Sequence, residues 1–74
     1  MNGRALIEIS TATEGLQLRN ILRREGIWAR MVRAPRGFSA SGCTQAVEIP
    51  HGDTALAAEI LAGQGYAQAK IKIT

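Results

Sequence analysis

A chain of 74 residues with nine Lys and Arg against six Asp and Glu, one Cys and one His buries only roughly 60% of its unfolded surface on folding, so one small domain over 1–74 is expected. A single cysteine excludes an intrachain disulfide, and with a single histidine it excludes a closed zinc site, which points to a reducing compartment. A net charge of +3 beside one Trp, one Tyr and one Phe lacks the stacking platform of a single-strand nucleic-acid binder, and no apolar run makes a signal segment or the ~20 residues of a membrane span, so a cytoplasmic protein without nucleic-acid or membrane partners is expected.

Ala5 to Ile9 alternates as a strand, with Ile7 and Ile9 on one face around Glu8. Thr11 and Glu14 have capping-box spacing, the Thr hydroxyl accepting the Glu14 N–H while the carboxylate reaches back, which predicts a helix over about 12–25. Gly15, Leu18, Ile21 and Leu22 form its apolar stripe, Gly15 reading as a helix–sheet packing position, and Gly26 suits the left-handed residue past the end. Ile27 to Ala34 alternates as a second strand, with Ile27, Ala29 and Met31 opposite Trp28, Arg30 and Val32, and Pro35 ends it. A third strand over 44–49, with Val47 and Ile49 flanking Glu48, stops at Pro50. Asp53 is the expected N-cap of a second helix that carries Leu56, Ala57, Ile60 and Leu61 inward and stops at Gly63 or Gly65. Ala67 to Ile73 completes the set, with Ala69, Ile71 and Ile73 inward and Lys70 and Lys72 outward. Strand, helix, strand, strand, helix, strand is the order of two split βαβ units, which predicts an α+β, ferredoxin-like two-layer sandwich: a four-stranded antiparallel sheet with both helices on one face.

The connection between the two middle strands, Pro35 to Thr44, is longer than the two to five residues a hairpin needs, and it holds the chain's one cysteine. A thiol attacks only as thiolate, which at neutral pH needs positive charge or backbone N–H groups for its stabilisation. Arg36 offers a guanidinium fork to an anion, Gly37 and Gly42 permit close backbone approach, Ser39 and Ser41 bring hydroxyls, and the amides between them suit an anion nest. Arg30 and Arg33 fall on opposite faces of their strand, and Arg33, nearer in the chain, is expected to join Arg36. The plainer account of the same residues is a solvated Gly/Ser tip, a cysteine acting as a small core hydrophobe and arginines guarding a sheet edge. His51 has no second ligand or carboxylate fixed by spacing and reads as a surface or capping residue, and Trp28 and Phe38 read as packing.

The pattern as a whole resembles the family described as Putative Se/S carrier protein-like. The matching residues are Ser10-Thr11 at the first helix start, Leu22 with Gly26-Ile27 at its end, the Pro35-Arg36 dipeptide, Ser39 and Ser41, Cys43 before a strand, and the amphipathic helix after Asp53. The resemblance implies a carrier whose cysteine holds reduced sulfur or selenium as a persulfide or perselenide and passes it to a partner protein, with no resident cofactor and no turnover of its own. It implies Cys43 as carrier thiol, supported by Arg36 and Ser39, with Ser41 and Gly42 shaping the loop. The chain departs from the family in one place. The usual order is Cys then Gly, whereas Gly42-Cys43-Thr44 moves the thiol one residue further from Pro35-Arg36, and a shift of one at a strand entrance turns a side chain to the other face.

Two functions therefore stand side by side. One is a sulfur or selenium carrier working between donor and acceptor proteins. The other is a binding or regulatory module of ferredoxin-like fold, monomer or small homo-oligomer, acting through partner or self-association with Cys43 incidental. A self-contained enzyme is disfavoured because no base is placed beside Cys43 by spacing, and a metallochaperone because soft-metal transfer wants two thiolates.

Overall fold

In the computed structural model, which describes residues 3–40, 42–67 and 69–73, the periodic segments become β1 (Arg4–Glu8), α1 (Ala12–Arg24), β2 (Arg30–Arg33), β3 (Gln45–Pro50), a 3-10 turn (His51–Asp53), α2 (Thr54–Gly63) and β4 (Ile71–Ile73). The side chain of Ile73, expected inward, lies outside the described ones. α1 begins where Glu14 N–H donates to Thr11 Oγ1 at 3.1 Å. The Glu14 carboxylate reaches back to the N–H of Ser10 at 2.7 Å, one residue earlier than the reciprocal bond of a capping box. Both helices end in a Schellman motif. Gly26 (φ 88°) lets Ile27 N–H donate to Leu22 C=O at 2.9 Å, and Gly65 (φ 91°) lets Tyr66 N–H donate to Leu61 C=O at 2.8 Å, which makes Gly63 the last residue of α2.

Four expectations change: Leu56, expected inward on α2, is 48% exposed, and three element ends differ. Asp53 precedes α2 but its side chain makes no cap bond: the 3-10 turn leaves it at φ −99°, ψ 9°, away from the extended backbone from which a side chain reaches the first helical N–H groups. Thr54 Oγ1 donates instead to His51 C=O at 2.7 Å. β2 begins at Arg30 and not Ile27, because its pairing register (Arg30↔Glu48) would set Trp28 against Pro50, which has no N–H to give. β4 starts late because a turn, Ala69 N–H to Tyr66 C=O at 3.0 Å, precedes it.

The sheet order is β2-β3-β1-β4, every neighbouring pair antiparallel. One face carries both helices: Leu18 and Leu22 of α1 and Ala57 and Leu61 of α2 close on Ala5, Ile7, Val47 and Ile49, with Ile9, Ile27 and Ala29 completing the core. Gly15 is where α1 comes closest to that face, since a Cβ there would lie 2.5 Å from Ile9 Cδ1 and 2.8 Å from Met31 Cε. Among the described residues no helix covers the opposite face. Leu6, Ala34 and Ala46 are buried there under Val32 and Phe38, beside the pairs Arg30–Glu48 (2.8 Å), Arg4–Glu48 (3.6 Å) and Lys72–Glu8 (3.6 Å). No helix of the described residues is long and apolar enough to cross a membrane.

Candidate functional site

The long loop is built from two tight turns. Ala34 N–H donates to Thr44 C=O at 2.8 Å, carrying the β2–β3 ladder one step past the strands. The first turn closes with Phe38 N–H on Pro35 C=O at 3.0 Å and has Gly37 (φ 75°) third, the position that demands positive φ in a type II turn. The second closes with Gly42 N–H on Ser39 C=O at 3.2 Å, with Gly42 itself at φ 82°. Between the turns the chain is tied to the sheet. Lys72 Nζ donates to Phe38 C=O at 2.9 Å and sits 4.7 Å from the Phe38 ring centroid. Ser39 Oγ donates to Ile9 C=O at 3.3 Å, and Ala40 N–H donates to Glu8 Oε2 at 2.9 Å.

Arg33, Arg36, Ser39, Gly42 and Cys43 line one open concavity of about 480 Å³ with no acidic residue in its wall. Cys43 is half-buried and packs against the helix-side core. It therefore faces the way Val47 and Ile49 face, which answers the question raised by the Gly42-Cys43 order. Arg33 and Arg36 are exposed, and neither has a hydrogen bond or ion pair among the described residues. Arg30 is elsewhere, held by Glu48 at 2.8 Å with its guanidinium 5.5 Å from the Trp28 ring. Ser41 lies outside the described residues.

Residues 4–72 match the family described as Putative Se/S carrier protein-like. The chain belongs to that family. The match runs from the first residue of β1 into β4 and so takes in the whole loop with Cys43. No curated protein and no solved structure matches the chain.

Within this Se/S carrier-like domain some expected roles shift. Three of the loop amides have partners within the chain: the N–H groups of Phe38, Ala40 and Gly42 go to Pro35 C=O, to Glu8 and to Ser39 C=O. Ser39 lines the concavity, but its hydroxyl proton is given to Ile9. Phe38 packs as expected, on the helix-free face. Trp28 does not, being 57% exposed. His51 sits in the 3-10 turn at the far end of β3 from Cys43. Glu8 and Lys72 were not legible as loop partners, because 32 and 34 residues separate them from the groups they hold. The Ala40 N–H keeps the Glu8 carboxyl below the usual carboxylate range; partial burial opposes this, and the charges of Lys72 and Lys70 assist it. Among the described residues no three His, Cys, Asp or Glu side chains converge as a metal site would require.

Proposed function

We propose that this domain carries a sulfur or selenium atom on Cys43 Sγ between a donor protein and an acceptor protein in the cytoplasm. The observation that carries the reading is the sharing of one concavity by the chain's single cysteine and two guanidinium groups, Arg33 and Arg36, that have no partner among the described residues. Family membership over residues 4–72 supports it. So does the sheet order: read from the other edge it is β4-β1-β3-β2, which agrees with a ferredoxin-like sandwich built from two split βαβ units.

The cationic rim attracts an anionic donor such as a persulfide, R–S–S⁻, or its selenium counterpart. Water protonates the captured donor to R–S–SH, and the Cys43 thiolate attacks its outer sulfur. The donor S–S bond breaks, R–S⁻ leaves with the electron pair, and Cys43–S–SH remains. Donation to the acceptor is the same exchange in reverse, so no oxidant is consumed. Arg33 and Arg36 orient the incoming anion, and Gly42 keeps the backbone clear beside the sulfur. Among the described residues that line the concavity there is no carboxylate, and His51 stands at the far end of β3, which supports a carrier over a self-contained enzyme.

The test is intact-mass spectrometry of the chain after incubation with a persulfide donor, R–S–SH, or its selenium counterpart, R–S–SeH. A single added sulfur or selenium that Cys43→Ser lacks is expected; an unmodified wild-type chain would sink the reading. One observation favours the second reading, a binding module with Cys43 incidental: Trp28 stands exposed beside Arg30. In that case Cys43→Ser leaves partner association intact and Trp28→Ala abolishes it.

A further inference from the structure

Three consecutive loop residues are each gripped from the sheet. Phe38 offers its carbonyl and ring to Lys72, Ser39 its hydroxyl to Ile9 C=O, and Ala40 its N–H to Glu8. Glu8 and Lys72 stand on adjacent strands, β1 and β4, and are themselves 3.6 Å apart. They therefore act as one unit across the strand boundary. The second turn begins at Ser39 and closes on Gly42, next in the chain to Cys43, which is half-buried against the core. In-line attack on a partner's sulfur needs the thiol free along the S–S axis, and a sulfur packed on the core offers only part of its surface.

We propose that Glu8 and Lys72 are positioning residues that latch the Cys43 loop to the sheet, and that releasing the latch presents the thiol to a partner protein. The charged groups facing Glu8 are Lys72 and Lys70, with the Ala40 N–H supplied by the loop. The Glu8 side chain is only 14% exposed and stays ionised at neutral pH, so the latch is closed there. Its release comes from a partner competing for Lys72 or Phe38. The purpose of the release rests on the carrier reading, whereas the latch itself can be measured in the unloaded chain.

The experiment is labelling of Cys43 by a bulky maleimide in the full, unloaded chain at neutral pH. Glu8→Ala and Lys72→Met are expected to label several-fold faster than wild type, while Lys72→Arg, which keeps a donor and a cation over the ring, labels at the wild-type rate. The acceleration should be indifferent to low urea, as a local opening is. In the wild-type chain the Ala40 amide proton should titrate with the Glu8 carboxyl, a measurement that holds even where a variant fails to fold, and in a folded Glu8→Gln chain that response should vanish. Uniform labelling with an unresponsive Ala40 overturns the latch. So does an acceleration that grows with urea in step with global unfolding. A chain that labels as expected but never takes up sulfur or selenium keeps the latch and loses the carrier reading; one that loads normally with uniform labelling does the reverse.

Discussion

Gly15→Ala sets a known stabilising effect against a packing clash, and the geometry says which wins. In a helix interior, replacing Gly by Ala gains about 1 kcal/mol. At this position the new Cβ would lie 2.5 Å from Ile9 Cδ1, 2.8 Å from Met31 Cε and 2.9 Å from Met31 Sδ, whereas carbon atoms rest at about 3.5–4.0 Å. The Met31 thioether is half-buried and unbranched, so its end swings aside at little cost. Ile9 is 1% exposed and has no such freedom. Either Ile9 leaves its rotamer or α1 lifts from the sheet, and overpacking of that kind costs about 1–3 kcal/mol. Subtracting the propensity gain leaves a net loss of about 1 kcal/mol, or a Tm lower by roughly 4–8 °C for a domain of this size. Urea unfolding followed by far-UV circular dichroism gives the number. Ile9→Val removes the offending Cδ1 and alone costs about 1 kcal/mol; joined to Gly15→Ala it should cost less than the sum by about 1 kcal/mol. A stabilised Gly15→Ala, or strictly additive losses in the double variant, would refute the close-packing argument.

Four further outcomes follow from the same geometry. Gly26→Ala meets no atom within 4 Å but forces a Cβ into φ 88°, so it should lose about 1 kcal/mol by urea titration, purely from backbone strain. Phe38→Ala uncovers Leu6, Ala34 and Ala46 and, from a half-buried site, should lose about 2 kcal/mol while making Cys43 label faster. Arg36→Gln and Arg33→Gln should each slow adduct formation with an anionic donor at low salt, the difference closing near ~1 M salt, with iodoacetamide labelling unchanged. The folded Glu8 carboxyl ionises below its ordinary range, so its contribution to stability is present above the unfolded pKa and is lost as pH falls below the ordinary Glu range through the lower folded pKa. Urea midpoints from neutral to acid pH should show that component in the wild type and not in Glu8→Gln.

The elements were legible where a local rule decided them. Gly26 and Gly65 end their helices because only a left-handed residue lets Ile27 and Tyr66 bond back to Leu22 and Leu61. The inward residues of β1 and β3 follow the period of two without exception. What escaped depends on the chain's distant pairings. The start of β2 is set by Pro50, twenty-two positions downstream of the Trp28 it would have faced, and the Ala40 amide is taken by Glu8, whose spacing from it carries no local signal. At the site, Arg33 and Arg36 were readable as neighbours of Cys43 in sequence, and they share its concavity. The fate of the Ser39 hydroxyl was not, because Ile9 C=O reaches it only once the loop has folded back over the end of β1.

The order Gly42-Cys43 matters less than its departure from the family pattern suggests, because the direction of the thiol is fixed from the strand side and not from the loop. Gln45 pairs with Arg33 and opens β3, and two residues back along the chain from it Cys43 must share its face, which is the face of Val47 and Ile49. A residue added between Pro35 and Cys43 lengthens the turns, where Gly37 at φ 75° and Gly42 at φ 82° absorb the bend. It leaves the register after Cys43 untouched. Only a change between Cys43 and Gln45 would rotate the sulfur to the helix-free face, where Phe38 already fills the space over Leu6 and Ala46. The loop therefore has two independent settings. The strand register decides which way the thiol points, and under the proposed latch the contacts of Glu8 and Lys72 with residues 38–40 decide how far it stands from the core.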